Sequence, residues 1–488
     1  AMTQDLTRFA QDIQAALAAN PRDPAALTGM AWLLRQEGRL RDAVLHCDAA
    51  LQADPTYATA WLERGFVLAS GGSMASALAS YRRAVELDPA CGEGHAGIAS
   101  IMARDGDGAE ARAHAAKALE LDPANAIAAA ALATMQIEAG ELEQAEALLG
   151  PLAPGLAEPS ADRSLICSLL GDVRARLGQH ASAYACYAQA KADFAEVNAP
   201  RLAGRVSHRE FITRITTGIA AMPPLARTGR DTDPTNTTQA HVFLLGYPRS
   251  GTTLVENILA SLPVVAALEE RPTLVEADMA FLAEPQGLAR LASLDEAGLQ
   301  PFRQAYWDKV TQAGIDVSGK CFVDMDPLKG TRLPVIARLF PDARILLMRR
   351  DPRDVVWSCF HTQFALTNAA LEFTTLERAA RHYAALMELI EAAQAHFALN
   401  LHTIRYEGLV RDFEQETRAM CAFLGLEWSE GLRRFDRTAK RRGVATASAG
   451  QVRKGLYDGS GQWRPYADYF APMMPILAPW IEKFGYPD

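Results

Sequence analysis

The chain has 488 residues, 49% hydrophobic, 22% charged and 8% aromatic. That is a globular composition, excluding disorder and collagen, and at 52.9 kDa it implies two domains or three. A formal net charge of −9 and a pI near 5.7 exclude a nucleic-acid coat or a polybasic membrane anchor, so any bound anion must be gripped locally. No stretch nears the roughly 20 apolar residues of a membrane span. The opening AMTQDLTRFA lacks a basic-then-apolar leader, and seven cysteines without a CxxC pair read as reduced core thiols. A cytoplasmic location is the expectation.

Residues 3 to 20 read as a single opening helix. After it, Pro21, Pro55, Pro89 and Pro123 recur every 34 residues, each preceded by Asn or Asp. A fixed period of this length predicts stacked helix pairs. Between Pro55 and Pro89 the pattern is fullest, with Trp61, Gly65 and Leu68 on a first helix and Ala77, Tyr81 and Ala84 on a second. Small residues mark close helix crossings and large ones fill the gaps. The neighbouring frames keep Leu27, Ala31, Ala43 and Ala50 before, and Ala99, Ala111, Ala118, Ala133 and Ala145 after. Beyond Pro151, Pro154 and Pro159 the register slips by about four residues. Gly171, Ala183, Tyr187 and Ala190 then recover it in a fifth pair, and residues 196 to 221 read as a closing helix. An ordinary helical bundle would not require proline at this period.

The segment resembles a tetratricopeptide repeat, and residues 1–222 are expected to form an all-α solenoid of that family. Such stacks bind peptide or another subunit, so peptide binding or homodimerisation is expected, with simple bracing of the next domain as the bland reading.

Residues 223–239, PPLARTGRDTDPTNTTQ, are rich in Pro, Thr, Asp and Gly and read as a linker. From residue 240 to 488 the period changes. Short apolar runs, HVFLL, PVVAA, CFVDM, ARILLM and LHTIRY, alternate with helix-like stretches, which predicts an α/β domain with a central parallel sheet.

The first run leads into Gly246-Tyr247-Pro248-Arg249-Ser250-Gly251-Thr252-Thr253 and then LVENILASL. GxxxxG between a strand and a helix is a phosphate-cradling loop: its glycines let backbone N–H groups face an anion, and the helix adds its positive end. A nucleoside triphosphatase carries Lys after the second glycine, where this chain has Thr252. The charge sits inside the loop instead, on Arg249, which points to a less highly charged anion.

YPRSGTTL resembles the 5′-phosphosulfate loop of the sulfotransferases, whose donor is 3′-phosphoadenylyl sulfate and whose product is 3′-phosphoadenosine 5′-phosphate. The resemblance implies that Arg249, Ser250, Gly251, Thr252 and Thr253 hold the 5′ phosphate and the sulfuryl group. A donor with phosphate at both ends needs a second grip. The run ARILLM ends in Arg349-Arg350-Asp351-Pro352-Arg353 and leads to Ser358, and an Arg fork with a hydroxyl at a strand-to-helix junction suits a dianionic phosphate. RRDPRDVVWS resembles the family's 3′-phosphate motif, which places Arg350 and Ser358 on that phosphate; Arg349 and Arg353 stay open between solvated and structural roles.

Over residues 240–488 the chain most resembles tyrosylprotein sulfotransferases and bacterial relatives with N-terminal repeats. The likeness places Tyr406 of RYEGLV near the adenine, and matches ATASAGQVRKGLYDGSGQW to a signature that brings Ser448, Arg453, Lys454 and Ser460 to the donor. Of two readings of the basic run from Arg433 to Lys454, a solvated helix face and a flap over the donor, the flap is the expectation.

Sulfuryl transfer to a hydroxyl needs a base for the acceptor proton. Counted without a gap from the loop, Glu270 falls on the family's catalytic Glu, seven residues beyond Pro263, with Glu269 the runner-up and His361 a rival. One position departs. The relatives carry Lys before Asp-Pro, where VDMDPLKG has Met325, so Lys329, Arg271 or the loop itself must carry that charge. Gln462 likewise stands where a basic residue is common. No His, Cys and Asp cluster has ligand spacing, so no metal is expected.

The whole reads as a sulfotransferase acting on an acceptor hydroxyl, for which a protein tyrosine, a glycan and a small phenol fit the motifs equally. The rival is a repeat-based scaffold whose second domain binds nucleotide without turnover.

Overall fold

The structure is a computed structural model and describes residues 2–105, 108–156, 158–223, 237–442, 449–453 and 455–487. The expected linker falls mostly outside the described residues.

Two compact units divide between Val197 and Asn198. In the first, α1 (Met2–Ala19) opens the array and five antiparallel pairs follow: α2 (Pro24–Gln36) with α3 (Leu40–Ala53), α4 (Ala58–Ser70) with α5 (Met74–Leu87), α6 (Gly92–Asp105) with α7 (Gly108–Leu121), α8 (Ala126–Ala139) with α9 (Leu142–Gly155), and α10 (Ala161–Arg176) with α11 (His180–Leu202). Pro21 sits in the turn after α1, and Pro55, Pro89 and Pro123 sit in the turns between one pair and the next. The acid or amide before each proline explains its presence. Asn20, Asp54, Asp88 and Asp122 each accept a hydrogen bond through Oδ1 from the backbone N–H two residues on, at 3.1, 2.9, 3.0 and 3.0 Å, closing the turn that proline pre-bends.

Packing within the array follows from glycine facing an aromatic ring. A Cβ on Gly65 would stand 2.3 Å from the Tyr81 ring and one on Gly97 2.7 Å from its other edge, so Tyr81 is gripped between two successive pairs. Gly171 meets Tyr187 in the same way at 2.6 Å.

The second unit is built on a five-stranded parallel sheet in the order β2-β3-β1-β4-β5. Its strands are β1 (Ala240–Leu245), β2 (Val265–Glu269), β3 (Cys321–Met325), β4 (Arg344–Arg349) and β5 (Asn400–Arg405). The central strands are buried on both faces, the burial that continuous apolar runs dictate. The helix after the loop, α13 (Thr252–Leu259), covers one face through Val255, Ile258 and Leu259. Chain order reverses between β1 and β4. Ligands gather at the carboxyl ends of such strands, and both expected anion motifs sit there.

Residues 196 to 221 depart from the expected closing helix. The last helix of the array runs on to Leu202, and a separate helix, α12 (His208–Ala221), is set off by a capping box between Ser207 and Glu210. α12 packs within the second unit, against the long helix Leu376–His396 and against Leu288, which a Cβ on Gly218 would approach to 2.7 Å. The units therefore divide some 25 residues before the expected boundary at 222. A buried hydrogen-bonded chain accounts for it: His208 Nδ1 lies 2.7 Å from His382 Nε2, and His382 Nδ1 lies 2.7 Å from the Tyr247 hydroxyl inside the loop after β1. Burial drives His208 down to about 4 and His382 well below the ordinary range, so both rings are neutral links.

Among the described residues no helix is long and apolar enough to cross a membrane.

Candidate active site

The loop after β1 owes its shape to two close approaches. A Cβ on Gly246 would meet the Ser250 Oγ at 2.6 Å, and Gly251, at φ 108°, turns the chain into α13. Ser250, Thr252 and Thr253 are buried at this turn. Gly251 caps α13 without a side-chain hydrogen bond, which leaves the first N–H groups of the helix for an anion. Arg249 is one of two non-glycine residues with positive φ among the described residues, at 71°. Backbone held in that region costs about 1–3 kcal/mol and persists where the surroundings dictate it. The other is Glu270, at 43°.

Arg249, Gly251, Arg350 and Tyr406, contributed by the ends of β1, β4 and β5, line one cavity. Arg249 Nε donates to Ser358 Oγ at 3.0 Å, so the residues expected at opposite ends of the donor are in direct contact here. Arg350 Nη1 donates to the Arg249 carbonyl at 3.0 Å, Nη2 donates to the Gly459 carbonyl, and the guanidinium lies 4.6 Å from the centre of the Tyr406 ring. Its Nε is buried with no hydrogen-bond partner. Burial first, and then the neighbouring Arg350, lower Arg249 from its usual value. Two guanidiniums this close, one with an orphaned donor, fit a polyanion.

Other expected residues are placed differently. Ser460 is exposed; its N–H donates to Asp458 within its own turn, and it does not line the cavity. Arg453 is half-buried and also outside the lining, while Ser448 and Lys454 lie outside the described residues. The segment contributes through Gln451, Val452, Leu456 and Tyr457 instead, and Gln451 accepts from Arg249 Nη2 at 2.9 Å. These residues were missed because their chain is irregular, with no period to mark which side faces inward. The one available signal was their place inside the matched C-terminal signature.

The open roles of the surrounding cations are resolved by their contacts. Arg349 lies 4.1 Å from the centre of the Phe484 ring, and Arg353 is buried, bidentate on Asp351, and 4.2 Å from the Trp463 ring; both brace the fold. In the basic run, Arg433, Arg434, Arg437, Lys440 and Arg441 are exposed, as a solvated face requires. Arg442 alone among these turns inward, donating to Glu256 at 2.8 Å and to the Ala267 carbonyl at 3.0 Å.

Glu270 follows β2, two strands from the loop-bearing β1, which is roughly 10 Å at ordinary strand spacing. Its N–H donates to the Met325 carbonyl at 2.7 Å, which anchors the left-handed turn. The residue keeps contact with solvent, yet the protein crowds its carboxyl. Burial, then Asp326, Glu269 and Glu256, raise it to about 7. Burial also raises Glu256 to about 7 against the pull of Arg442. The result is a cluster of carboxyl groups, two of them raised to near neutrality, of which Glu270 is the one in contact with solvent. Glu269 extends β2 and has a buried, unpartnered Oε1. His361 is turned to its own helix, with Nδ1 3.0 Å from the Trp357 carbonyl.

Met325 is fully buried in the core beneath α13. Lys329 is buried too and committed: its ammonium pairs with Asp324 and donates to Thr273 Oγ1 at 3.1 Å, and Asp324 also accepts from Thr273 and Tyr306. Arg271, next to Glu270, is exposed, and its side chain has no partner among the described residues. No group of three or more His, Cys, Asp or Glu among the described residues is placed to hold a metal ion.

In the first unit a separate groove crosses the first helices of the pairs. It is open to solvent and is lined by Phe9, Trp32, Tyr57 and Phe66 beside the ion pair of Arg35 with Glu63.

Comparison with known proteins agrees with this division. Residues 241–430 match the sulfotransferase family, and residues 58–91 and 102–165 match tetratricopeptide repeats. A protein of Aquifex aeolicus described as uncharacterized is 30% identical over 260 residues, covering 51% of this chain and 33% of the relative. Protein-tyrosine sulfotransferase 1 of Danio rerio is 26% identical over 262 residues, covering 50% of this chain and 72% of that protein. Protein-tyrosine sulfotransferase 2 of Gallus gallus is 28% identical over 196 residues, covering 39% of this chain and 52% of that protein. Among solved structures, YrrB, a tetratricopeptide-repeat protein with an unusual peptide-binding site, is 19% identical over 38% of this chain and 93% of its own, with a TM-score of 0.29. The chain thus joins stretches that match tetratricopeptide repeats to a later stretch that matches the sulfotransferase family.

Proposed function

We propose that the protein is a sulfotransferase that uses 3′-phosphoadenylyl sulfate to modify an acceptor hydroxyl, with Glu270 as the base. The observation that carries this reading is the convergence of Arg249, Gly251, Arg350 and Tyr406 on one cavity at the point where the sheet reverses its chain order. The donor, when bound, supplies the sulfuryl group. The loop N–H groups, the hydroxyls of Ser250, Thr252 and Thr253 and the start of α13 bind its 5′ end, and Arg350 with Ser358 binds the 3′ phosphate. A carboxyl that titrates near 7 is half ionised at neutral pH, and in that form Glu270 accepts the acceptor's proton. With Lys329 held by Asp324 and Met325 uncharged, the loop and the exposed Arg271 are the remaining sources of positive charge on the acceptor side.

The names of the relatives favour a protein tyrosine as acceptor. The aromatic groove of the first unit suits an extended peptide, which would recruit a protein substrate or a partner.

The test is incubation with radiolabelled donor and a cell extract. The wild type is expected to label a product, and Glu270→Ala to slow labelling about 10²–10⁴-fold while still binding 3′-phosphoadenosine 5′-phosphate. Donor binding with no transfer to a broad acceptor panel would leave a nucleotide-binding scaffold in place of the enzyme. Equal affinity for adenosine triphosphate would return the loop to the nucleotide-hydrolysing class.

A further inference from the structure

We propose that Tyr457 is a further donor-binding residue, whose hydroxyl closes with Arg350 on the 3′ phosphate across the bare backbone of Gly459. The inference rests on the sulfotransferase reading above and adds to it a residue that sets which nucleotide is held.

Three polar atoms converge on one point. A methyl group placed on Gly459 would stand 3.0 Å from the Tyr406 hydroxyl, 3.0 Å from the Tyr457 hydroxyl and 3.2 Å from Arg350 Nη2. That space stays open because residue 459 is glycine. Two of the three atoms are committed. The Tyr406 hydroxyl donates to the Tyr457 carbonyl at 2.9 Å and accepts from the Gly459 N–H at 3.2 Å, and Arg350 Nη2 donates to the Gly459 carbonyl. The Tyr457 hydroxyl has no hydrogen-bond partner among the described residues, and the Arg350 Nε–H is buried without one. Two uncommitted donors on the wall of one cavity call for a ligand rich in acceptor oxygens, and phosphate is the group of the donor that has them.

The backbone that carries the phenol is held in place. Tyr406 fixes the backbone at Tyr457 and Gly459, and just beyond, Asp354 accepts from the Gly461 N–H at 2.7 Å and the Trp463 N–H at 3.1 Å. The loop is therefore pinned from Tyr457 onward before any ligand arrives, which lessens the ordering that binding must impose. Tyr457 is 40% exposed, which leaves a way in for the nucleotide. Arg350 stands at the end of β4, one strand over from the loop that takes the 5′ end, and this assigns Tyr457 to the 3′ phosphate.

The experiment compares the wild type with Tyr457→Phe by calorimetric titration with 3′-phosphoadenosine 5′-phosphate and with adenosine 5′-phosphate. Phosphorus-31 spectra of the bound bisphosphate supply a second readout. Loss of one hydrogen bond to a charged group is expected to weaken the bisphosphate about tenfold. Affinity for the monophosphate and the ligand-free melting temperature are expected to stay unchanged, and the 3′ phosphorus resonance to move while the 5′ resonance does not. Gly459→Ala, which fills the open point, is expected to weaken the bisphosphate as well. Unchanged bisphosphate affinity in Tyr457→Phe, equal loss for both nucleotides, or movement of the 5′ resonance overturns the proposal. Failure of the wild type to bind the bisphosphate at all overturns the sulfotransferase reading instead.

Discussion

Arg249 and Glu270 share a backbone conformation that side chains avoid, and each brings a chemically active group to the carboxyl edge of the sheet. For Glu270 the consequence can be measured in pH. A base must be ionised to act, so activity is expected to rise with pH through about 7 and to be lost below it. Among like charges Asp326 does most to raise this carboxyl, and its Oδ1 also caps the following turn by accepting from the Leu328 N–H at 2.9 Å. Asp326→Asn keeps an oxygen for the cap and removes the charge. Glu270 then ionises at lower pH, and the acid limb of the rate profile is expected to move down, with severalfold more of the maximal rate retained at pH 6. Burial is the larger cause and survives the substitution, so the limb should stop short of the ordinary carboxylate range. An unmoved limb would mean that Glu270 does not set it. At this scale the candidate site was legible where a motif names residue types at fixed spacing, as in Arg249 to Thr253, Arg350 with Ser358, and Glu270. Arg442 and Lys329 were not, because whether a surface-type cation turns inward depends on a buried acid from elsewhere in the chain, here Glu256 and Asp324.

Among the elements, the contact of glycine with an aromatic ring between successive helix pairs is the most exacting. Gly65→Ala would set a methyl 2.3 Å from the Tyr81 ring, and the ring cannot retreat because Gly97 meets its far side. Overpacking of this kind is expected to cost about 1–3 kcal/mol in thermal or denaturant unfolding. Gly150→Ala in α9 meets nothing within 4 Å and is expected to be neutral or stabilising. If the two substitutions behaved alike, the packing of the pairs would not be set by these rings. The five strands and the helix pairs were legible because buried parallel strands and repeated proline turns leave strong periodic marks. α12 was misplaced for a physical reason. Its stripe of Ile212, Ile215 and Ile219 shows that one face is buried, but not against what, and its partner helix begins more than 150 residues later.

For the molecule as a whole, a single ligand should report on one unit. A bisphosphate at about a hundred times its Kd stabilises what it binds by about 2.7 kcal/mol. Slower hydrogen exchange is expected over α13 and the ends of β1 and β4, with no change over residues 24–176. Protection spread evenly across both stretches would contradict a donor cavity confined to the second unit. The first unit differs in kind from the second. The first four joints of the array are each closed by their own residues, an acid or amide bonded to the chain two positions on. A gene that gained or lost one 34-residue stretch, cut from one proline to the next, would rejoin at chemically equivalent turns. The array can thus lengthen or shorten in whole steps by duplication or deletion, and the reach of its groove is open to evolutionary adjustment while the sheet that carries Arg249, Glu270 and Arg350 is left untouched.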